Sequence, residues 1–125
     1  MKQYTKQKRA KVFNKYNGRC AYCGDELEFM HIDHIVPKQR GMDYAEAQKL
    51  GIPKGKDNIE NLNPSCPSCN ISKSTYPLEV WRNELKLKIN RLRRDVTNIR
   101  ILERYGLLEF KEDKEIVFYF ETLKP

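Results

Sequence analysis

The spacing of apolar side chains predicts a long helix in the second half of the chain. From residue 78 to residue 99, apolar side chains recur every three or four positions, which is the period of one face of an α-helix. Pro77 fits the first turn of this helix and Gly106 fits its end, while continuity across Thr97-Asn98 is left open. We interpret the stripe as a packing or helix-pairing surface.

Two shorter helices are predicted from their end signals. Residues 5–16 begin with Thr5, a suitable N-cap, and an Asn-Gly pair follows them. Residues 44–50 come directly after Asp43, which has capping-box spacing to Glu46. Both segments are therefore expected to be helical.

Strand-forming residues are concentrated in two places. Residues 26–36 are predicted to form a hairpin or strand pair, and residues 115–121 a terminal strand. Helices and strands together predict a small α+β fold. A chain of 125 residues is expected to be a single domain, 1–125, with a core over 1–76 and a C-terminal helical and strand extension over 77–125.

Composition narrows the class of protein. Hydrophobic residues make up 39% of the chain and charged residues 33%, so the core is expected to be modest and to need support from the four cysteines. No apolar run approaches the roughly 18 residues of a membrane span, and the basic N-terminus lacks the apolar core of a signal peptide. We therefore expect a cytoplasmic protein in a reducing compartment, with no membrane partner.

The net charge of +7 is concentrated in two segments. Residues 1–24 carry seven basic side chains and no acidic one, and residues 82–104 carry eight basic and three acidic side chains. Such clusters are typical of proteins that bind a polyanion, although solvated lysines explain them equally well.

The cysteines form two pairs, Cys20-x2-Cys23 and Cys66-x2-Cys69, and a helix is predicted to start near the last of them. Two such pairs supply the four thiolates of a tetrahedral structural zinc site. Two disulfides would require an oxidising compartment, and a redox pair would be single. A zinc ion with four thiolate ligands has no open position, so any catalysis must take place elsewhere.

Four polar residues between and beside the cysteine pairs are candidates for that chemistry. Asp33 and His34 are adjacent, so in a regular strand they point to opposite sides unless the backbone bends. Aspartate and asparagine oxygens, here those of Asp33, Asn61 and Asn70, suit a hard cation such as Mg²⁺. Neutral imidazole can act as a general base near pH 7.

The set CxxC, DHIVP, Asn-Leu, CxxCN and Lys, over residues 20–73, resembles the HNH endonucleases that have a four-cysteine zinc site. The resemblance implies a ββα-metal, treble-clef-like core, flanked here by the predicted N-terminal helix and the C-terminal helices and strand. It also implies metal-dependent hydrolysis of phosphodiester bonds in DNA, with structural zinc and a catalytic magnesium or other divalent ion.

The resemblance assigns roles to individual positions. His34 matches the general base, Asp33 the adjacent metal-binding carboxylate, and Asn61 the asparagine that orients the loop carrying the base. Asn70 stands where many members have a final histidine ligand, as in the His-Asn-Asn variant found in the HNH domain of RNA-guided CRISPR effector nucleases. Lys73 matches a lysine one turn later and is a candidate phosphate contact.

Further candidate contacts to DNA are basic. They are Lys8, Arg9, Lys11 and Arg40, of which Arg40 lies in a polar loop where it could equally be solvated. A homodimer through the helix over 77–105 and a phage or mobile-element origin are further expectations. The alternative function is a non-catalytic, zinc-stabilised nucleic-acid-binding module, and a redox or disulfide protein is a third class.

Overall fold

The computed structural model describes residues 4–39 and 41–123, which form two compact units. The first unit extends to residue 78 and includes residues 117–123, and the second unit spans residues 79–116. Residues 117–123 therefore belong with the predicted core, and the single domain stays a prediction. Within the described ranges, no helix combines the length and the apolar character needed to cross a membrane.

The two short predicted helices are confirmed. Helix α1 spans Lys6–Asn14, and the Thr5 hydroxyl accepts a hydrogen bond of 3.1 Å from the backbone N–H three residues later. Helix α2 spans Tyr44–Leu50, and the Asp43 carboxylate accepts a hydrogen bond of 2.8 Å from the backbone N–H of Glu46. In both helices the cap satisfies a backbone donor that has no partner within the helix.

A two-stranded antiparallel ribbon lies at the centre of the first unit. It pairs β1, His31–His34, with β2, Leu62–Ser65, and places Asp33 opposite Asn63. The prediction of a hairpin within residues 26–36 is wrong, because the second strand comes from the distant segment before the second cysteine pair. Alternation along a segment predicts a strand but does not identify its partner.

Helix α3 spans Pro67–Lys73 and follows β2 directly. It starts earlier than the predicted start near Cys69, because Cys66 is its N-cap and the Cys66 sulfur accepts a hydrogen bond of 3.4 Å from the Cys69 N–H. Pro67 fits the first turn, where its missing N–H costs nothing. Helix α3 packs against β1, which brings the second cysteine pair to the ribbon.

Residues 117–123 close the core of the first unit. The predicted terminal strand over 115–121 is wrong, since the chain forms a 3₁₀ turn over Tyr119–Leu123. The backbone N–H groups of Tyr119 and Phe120 donate to the carbonyls of Tyr22 and Ala21, at 3.0 and 2.8 Å. Their donors therefore serve the first cysteine turn and are not available for a strand ladder.

The buried apolar side chains of this unit lie mainly around the first cysteine pair. The Tyr22 ring makes edge-to-face contacts with the rings of Phe118 and Phe120, with centroid distances of 5.5 and 5.9 Å. The other fully or nearly fully buried apolar side chains are those of Val12, Cys20, Ala21, Ala47 and Leu62. This core is small, as the composition predicted.

Helix α4 spans Leu78–Asp95 and lies in the second unit from residue 79 onward, and helix α5, Thr97–Arg104, lies wholly within that unit. The long predicted helix breaks at Val96, whose φ of −122° and ψ of 102° are those of extended backbone. Arg93 stabilises the turn between the helices, because its guanidinium lies 2.7 Å from a Glu103 carboxylate oxygen and 2.6 Å from one of Glu112. The small α+β fold is thus confirmed, with five helices and one two-stranded sheet in the described residues.

Candidate active site and metal centre

The four cysteines form one cluster. Their sulfurs all lie within 4.8 Å of one another, and the sulfurs of Cys23 and Cys66 are 3.9 Å apart. Cys20 and Cys23 lie in a tight turn that ends at Gly24, where φ is 81°. The cysteines are therefore placed to bind a metal ion, as the spacing predicted.

The geometry of the cluster fits zinc. Four sulfurs at about 2.3 Å from a tetrahedral ion lie about 3.8 Å from one another, close to the distance between Cys23 and Cys66. The Cys66 backbone N–H also donates to the Cys20 sulfur at 3.4 Å, a bond that favours thiolate over thiol. A hydrogen bond from Cys69 lowers the pKa of Cys20 to about 4, whereas burial raises the pKa of Cys23 to about 11. When no metal is bound, neighbouring hydrogen-bond donors thus favour a thiolate at Cys20.

Asp33 is buried on the ribbon, with 6% of its surface exposed. Its carboxylate accepts a short hydrogen bond from the Tyr22 hydroxyl and lies 3.1 Å from the Lys73 ammonium. Burial raises the pKa of Asp33, and the charge of Lys73 opposes that shift. The two partners therefore fix the direction of the carboxylate and offset part of the cost of burying its charge.

Lys73 is fully buried, although the sequence made it a candidate phosphate contact. Its ammonium donates to the backbone carbonyl of His34 at 2.8 Å as well as pairing with Asp33. The charge therefore lies inside the fold, where it links helix α3 to the end of β1. A buried lysine requires such a partner, because an unpaired buried ammonium is very costly.

Asn70 lies on α3, one turn before Lys73. Side chains three residues apart share one face of a helix, so Asn70 and Lys73 lie on the same face of α3. Asp33 and Asn70 carry oxygen atoms of the kind that a magnesium-class ion prefers, and such an ion commonly takes only one or two protein ligands and completes its shell with water and phosphate.

Asn61 ties two loops together. Its side-chain oxygen accepts a hydrogen bond of 2.8 Å from the Val36 N–H, and its amide donates to the carbonyls of Val36 and Lys56 at 3.1 and 3.0 Å. Gly55 lies at the contact between these loops, since a Cβ there would be 1.7 Å from the Val36 carbonyl oxygen. Asn61 is therefore engaged with the backbone that follows His34.

The His34 ring is held by partners outside the motif. Its Nε2 lies 2.7 Å from a carboxylate oxygen of Asp57 and 3.2 Å from the Tyr4 hydroxyl. Asp57, Tyr4, Tyr22 and Gly55 were not identified from the sequence. Of these four residues, only Asp57 had a signal in the sequence, because it is an acidic residue in the polar loop that leads to Asn61.

A cavity of about 460 Å³ lies next to these groups, and both Asp33 and His34 line it. Gln39 and Ser74 also line it, and they have left-handed φ values of 54° and 49° that non-glycine residues rarely adopt. Such strained backbone is often found at functional sites. Asp33 and His34 thus line one cavity together with two residues of strained backbone.

The basic candidates on α1 differ in their surroundings. The ammonium of Lys8 donates to the Asp57 carbonyl at 2.6 Å and Arg9 donates to the Met30 carbonyl at 3.2 Å, whereas Lys11 is exposed. Lys15, counted above with the basic cluster, donates to the Ile59 and Leu62 carbonyls and is structural. Arg40 lies outside the described residues.

Comparison with known proteins identifies a family for this segment. Residues 20–75 match the model of the HNH endonuclease family. The matched segment contains all four cysteines, Asp33 and His34 of the cavity lining, and both asparagines of the motif. The resemblance inferred from the motif is therefore confirmed for this part of the chain.

Two relatives extend the match. The chain is 28% identical over 102 residues to the SPbeta prophage-derived protein YoqL of Bacillus subtilis, named as an HNH endonuclease, covering 80% of this chain and 40% of the relative. It is 31% identical over 77 residues to the CRISPR-associated endonuclease Cas9 of Corynebacterium diphtheriae, covering 59% of this chain and 6% of that protein. The chain thus spans less than half the length of either relative.

A solved structure is also similar. The crystal structure of the type II-C Cas9 enzyme from Actinomyces naeslundii matches 97% of this chain and 12% of that chain, with a TM-score of 0.49 and 24% identity.

Proposed function

We propose that this chain, whose residues 20–75 match the HNH endonuclease family, is a metal-dependent endonuclease that hydrolyses phosphodiester bonds in DNA. The observation that carries the proposal is the cavity lined by both Asp33 and His34. One side chain is a buried carboxylate suited to a hard cation, and the other is an imidazole held by a second carboxylate. The names of both relatives support nuclease activity.

In the proposed mechanism, Asp33 and Asn70 would hold a divalent ion, magnesium or another of its class. When bound, that ion supplies Lewis-acid stabilisation of the charge that develops on the phosphate. His34 takes a proton from water as the new P–O bond forms. The bond from phosphorus to the 3′ oxygen breaks, and that oxygen takes a proton from solvent water. Family resemblance implies 5′-phosphate and 3′-hydroxyl ends. Lys73 holds the Asp33 carboxylate and the His34 backbone in place.

The four cysteines would hold zinc with a purely structural role. Four thiolates fill a tetrahedral shell, so the zinc offers no position for water or substrate. The cluster joins the turn after α1 to the start of α3, and metal binding would add folding free energy that the small core lacks.

The broader expectations are part of this proposal. DNA is the proposed substrate, because both named relatives are endonucleases and α1 presents basic side chains. The prophage origin of one relative supports a phage or mobile-element origin. A cytoplasmic location and a homodimer through residues 77–105 stay predictions.

The test is a plasmid-cleavage assay with added Mg²⁺ or Mn²⁺, compared with the same reaction in chelator. We expect cleavage only with the divalent ion, and we expect His34→Ala to abolish it while zinc content and DNA binding are retained. His31→Ala is the matched control, because His31 is the only other histidine and its ring lies 5.0 Å from Phe29, not in the cavity lining.

Cleavage by His34→Ala at the normal rate would refute the assignment of the base. DNA binding without cleavage under every metal would instead favour the non-catalytic zinc-stabilised module.

A further inference from the structure

An acidic side chain outside the family motif contacts the His34 ring. One carboxylate oxygen of Asp57 lies 2.7 Å from His34 Nε2, and 17% of the Asp57 side chain is exposed. The two residues are separated by 23 positions in the sequence, so only the fold brings them together. Such a contact within hydrogen-bond distance decides which ring nitrogen carries the proton.

Asp57 is itself held in position. Its other carboxylate oxygen lies 2.9 Å from the Lys38 ammonium, and the Tyr4 hydroxyl donates to the first oxygen at 2.9 Å. The Lys8 ammonium donates to the backbone carbonyl of Asp57 at 2.6 Å. Three donors from two separate segments therefore orient this one residue, and the positive charge of Lys38 favours its ionised form.

The loop that carries Asp57 is joined to the loop that follows His34. Asn61 donates to the Lys56 carbonyl, next to Asp57, while it also bonds the backbone of Val36. The Gly55 N–H donates to the Pro37 carbonyl at 2.7 Å. Hydrogen bonds to the backbone of both loops therefore hold the Asp57 carboxylate next to the His34 imidazole.

An ionised carboxylate only accepts hydrogen bonds, so the proton in this contact belongs to Nε2 of the ring. A neutral imidazole protonated at Nε2 has its lone pair at Nδ1. Carboxylates that hold a catalytic histidine in one tautomer and stabilise the imidazolium formed on proton transfer are well established in other enzymes.

We propose that Asp57 is a positioning residue that holds His34 with the proton on Nε2, so that Nδ1 accepts the proton from the attacking water. This inference rests on the proposed function. Asp57 touches neither substrate nor metal in this proposal and acts only through His34.

The decisive variant is Asp57→Asn, which keeps the size of the side chain. Its amide oxygen would face the Lys38 ammonium, so its NH₂ group would face the ring and favour a proton on Nδ1 instead. Glu60→Gln is the matched control, because it makes the same chemical change on an exposed side chain in the same segment. Asp57→Glu restores a carboxylate and tests for rescue.

For cleavage, we expect Asp57→Asn to lower kcat by about 10- to 100-fold with KM within about twofold, as when other residues that orient catalytic groups are lost. We expect Asp57→Glu to recover part of kcat and Glu60→Gln to leave it unchanged. Zinc content reports whether each variant folds. A normal kcat for Asp57→Asn, or no recovery in a folded Asp57→Glu, would overturn the proposal.

The second measurement does not need activity. In a His31→Ala background the only imidazole is that of His34, so ¹⁵N NMR of the ring in mildly alkaline buffer reports its tautomer directly. We expect a proton on Nε2 in the parent and a shift toward Nδ1 in Asp57→Asn. A parent with the proton on Nδ1, or an unchanged ring in the variant, would refute the role of Asp57. If the parent does not cleave DNA but shows the expected tautomers, the proposed function fails and the contact stands.

Discussion

Replacing Gly55 with alanine would test the contact between the two loops that carry His34 and Asp57. A Cβ at this position would lie 1.7 Å from the Val36 carbonyl oxygen and 2.7 Å from the Asn61 amide nitrogen. Real Cβ atoms essentially never come within 3.0 Å of such atoms, so the backbone must move by more than 1 Å.

The size of the effect follows from the hydrogen bonds that this movement breaks. The Gly55 N–H bond to Pro37 and the Asn61 amide bond to Val36 cross the contact, and the Asn61 amide bond to Lys56 lies beside it. At about 1 kcal/mol each, their loss predicts a destabilisation of about 2–3 kcal/mol. For a chain of this size, that corresponds to a fall in Tm on the order of 10 °C.

Gly41→Ala is the matched control, because nothing lies within 4 Å of a Cβ at that position and its φ is not left-handed. A glycine-to-alanine change at a compatible position stabilises a protein by about 0.4–1 kcal/mol, since it restricts the unfolded chain. The two alanine variants are therefore expected to change stability in opposite directions.

The assay combines urea denaturation of the zinc-loaded protein, followed by circular dichroism, with DNA cleavage under the same metal. We expect Gly55→Ala to lower both the urea midpoint and kcat, because the Asp57 carboxylate moves away from the His34 ring. If Gly55→Ala were as stable and as active as Gly41→Ala, the loops would not approach as described and the reasoning would be refuted.

Two further predictions concern the metal centre and the basic helix. Cys23→Ser should lose the bound metal and the compact fold of the first unit, because thiolate coordination supplies on the order of 10 kcal/mol of folding free energy. Metal analysis with thiol counting checks this, and a variant that stays folded without metal, with its three remaining thiols freely reactive, would contradict it. Lys11→Gln should weaken DNA binding and reduce the slope of log K against log salt by about 0.9, with kcat unchanged. Lys8→Gln should also lower kcat, because Lys8 holds the Asp57 carbonyl. Lys114→Gln is the control, because Lys114 is an exposed lysine in an acidic stretch. An equal change of slope in that variant would contradict DNA binding through α1.

Local signals in the sequence predicted local structure well. Asp43 and Glu46 have the spacing of a capping box, and α2 begins where that spacing predicts. The cysteine spacing predicted that the four sulfurs lie together, and they do, because two CxxC pairs separated by a long loop are typical of a metal site with four thiolates. Motif residues 20–73 predicted a resemblance to the HNH endonucleases, which the match over residues 20–75 confirms for that segment.

Signals that depend on a distant partner were misread. Residues 115–121 alternate like a strand, yet the N–H groups of Tyr119 and Phe120 bond the turn of the first cysteine pair and form no ladder. Residues 26–36 contain only β1, because the second strand is supplied by residues 62–65. Neither partner can be inferred from the segment itself.

The sequence by itself determined the chemistry available to this protein: four thiols in pairs, an Asp-His pair, two asparagines and a basic first helix. Only the tertiary structure decided how these groups are used. It buries Lys73 against Asp33, so that a candidate phosphate contact becomes an internal ion pair, and it brings Asp57 to the His34 ring. The physical reason is that burial and pairing set the charge and direction of a side chain, and both depend on residues far away in the chain.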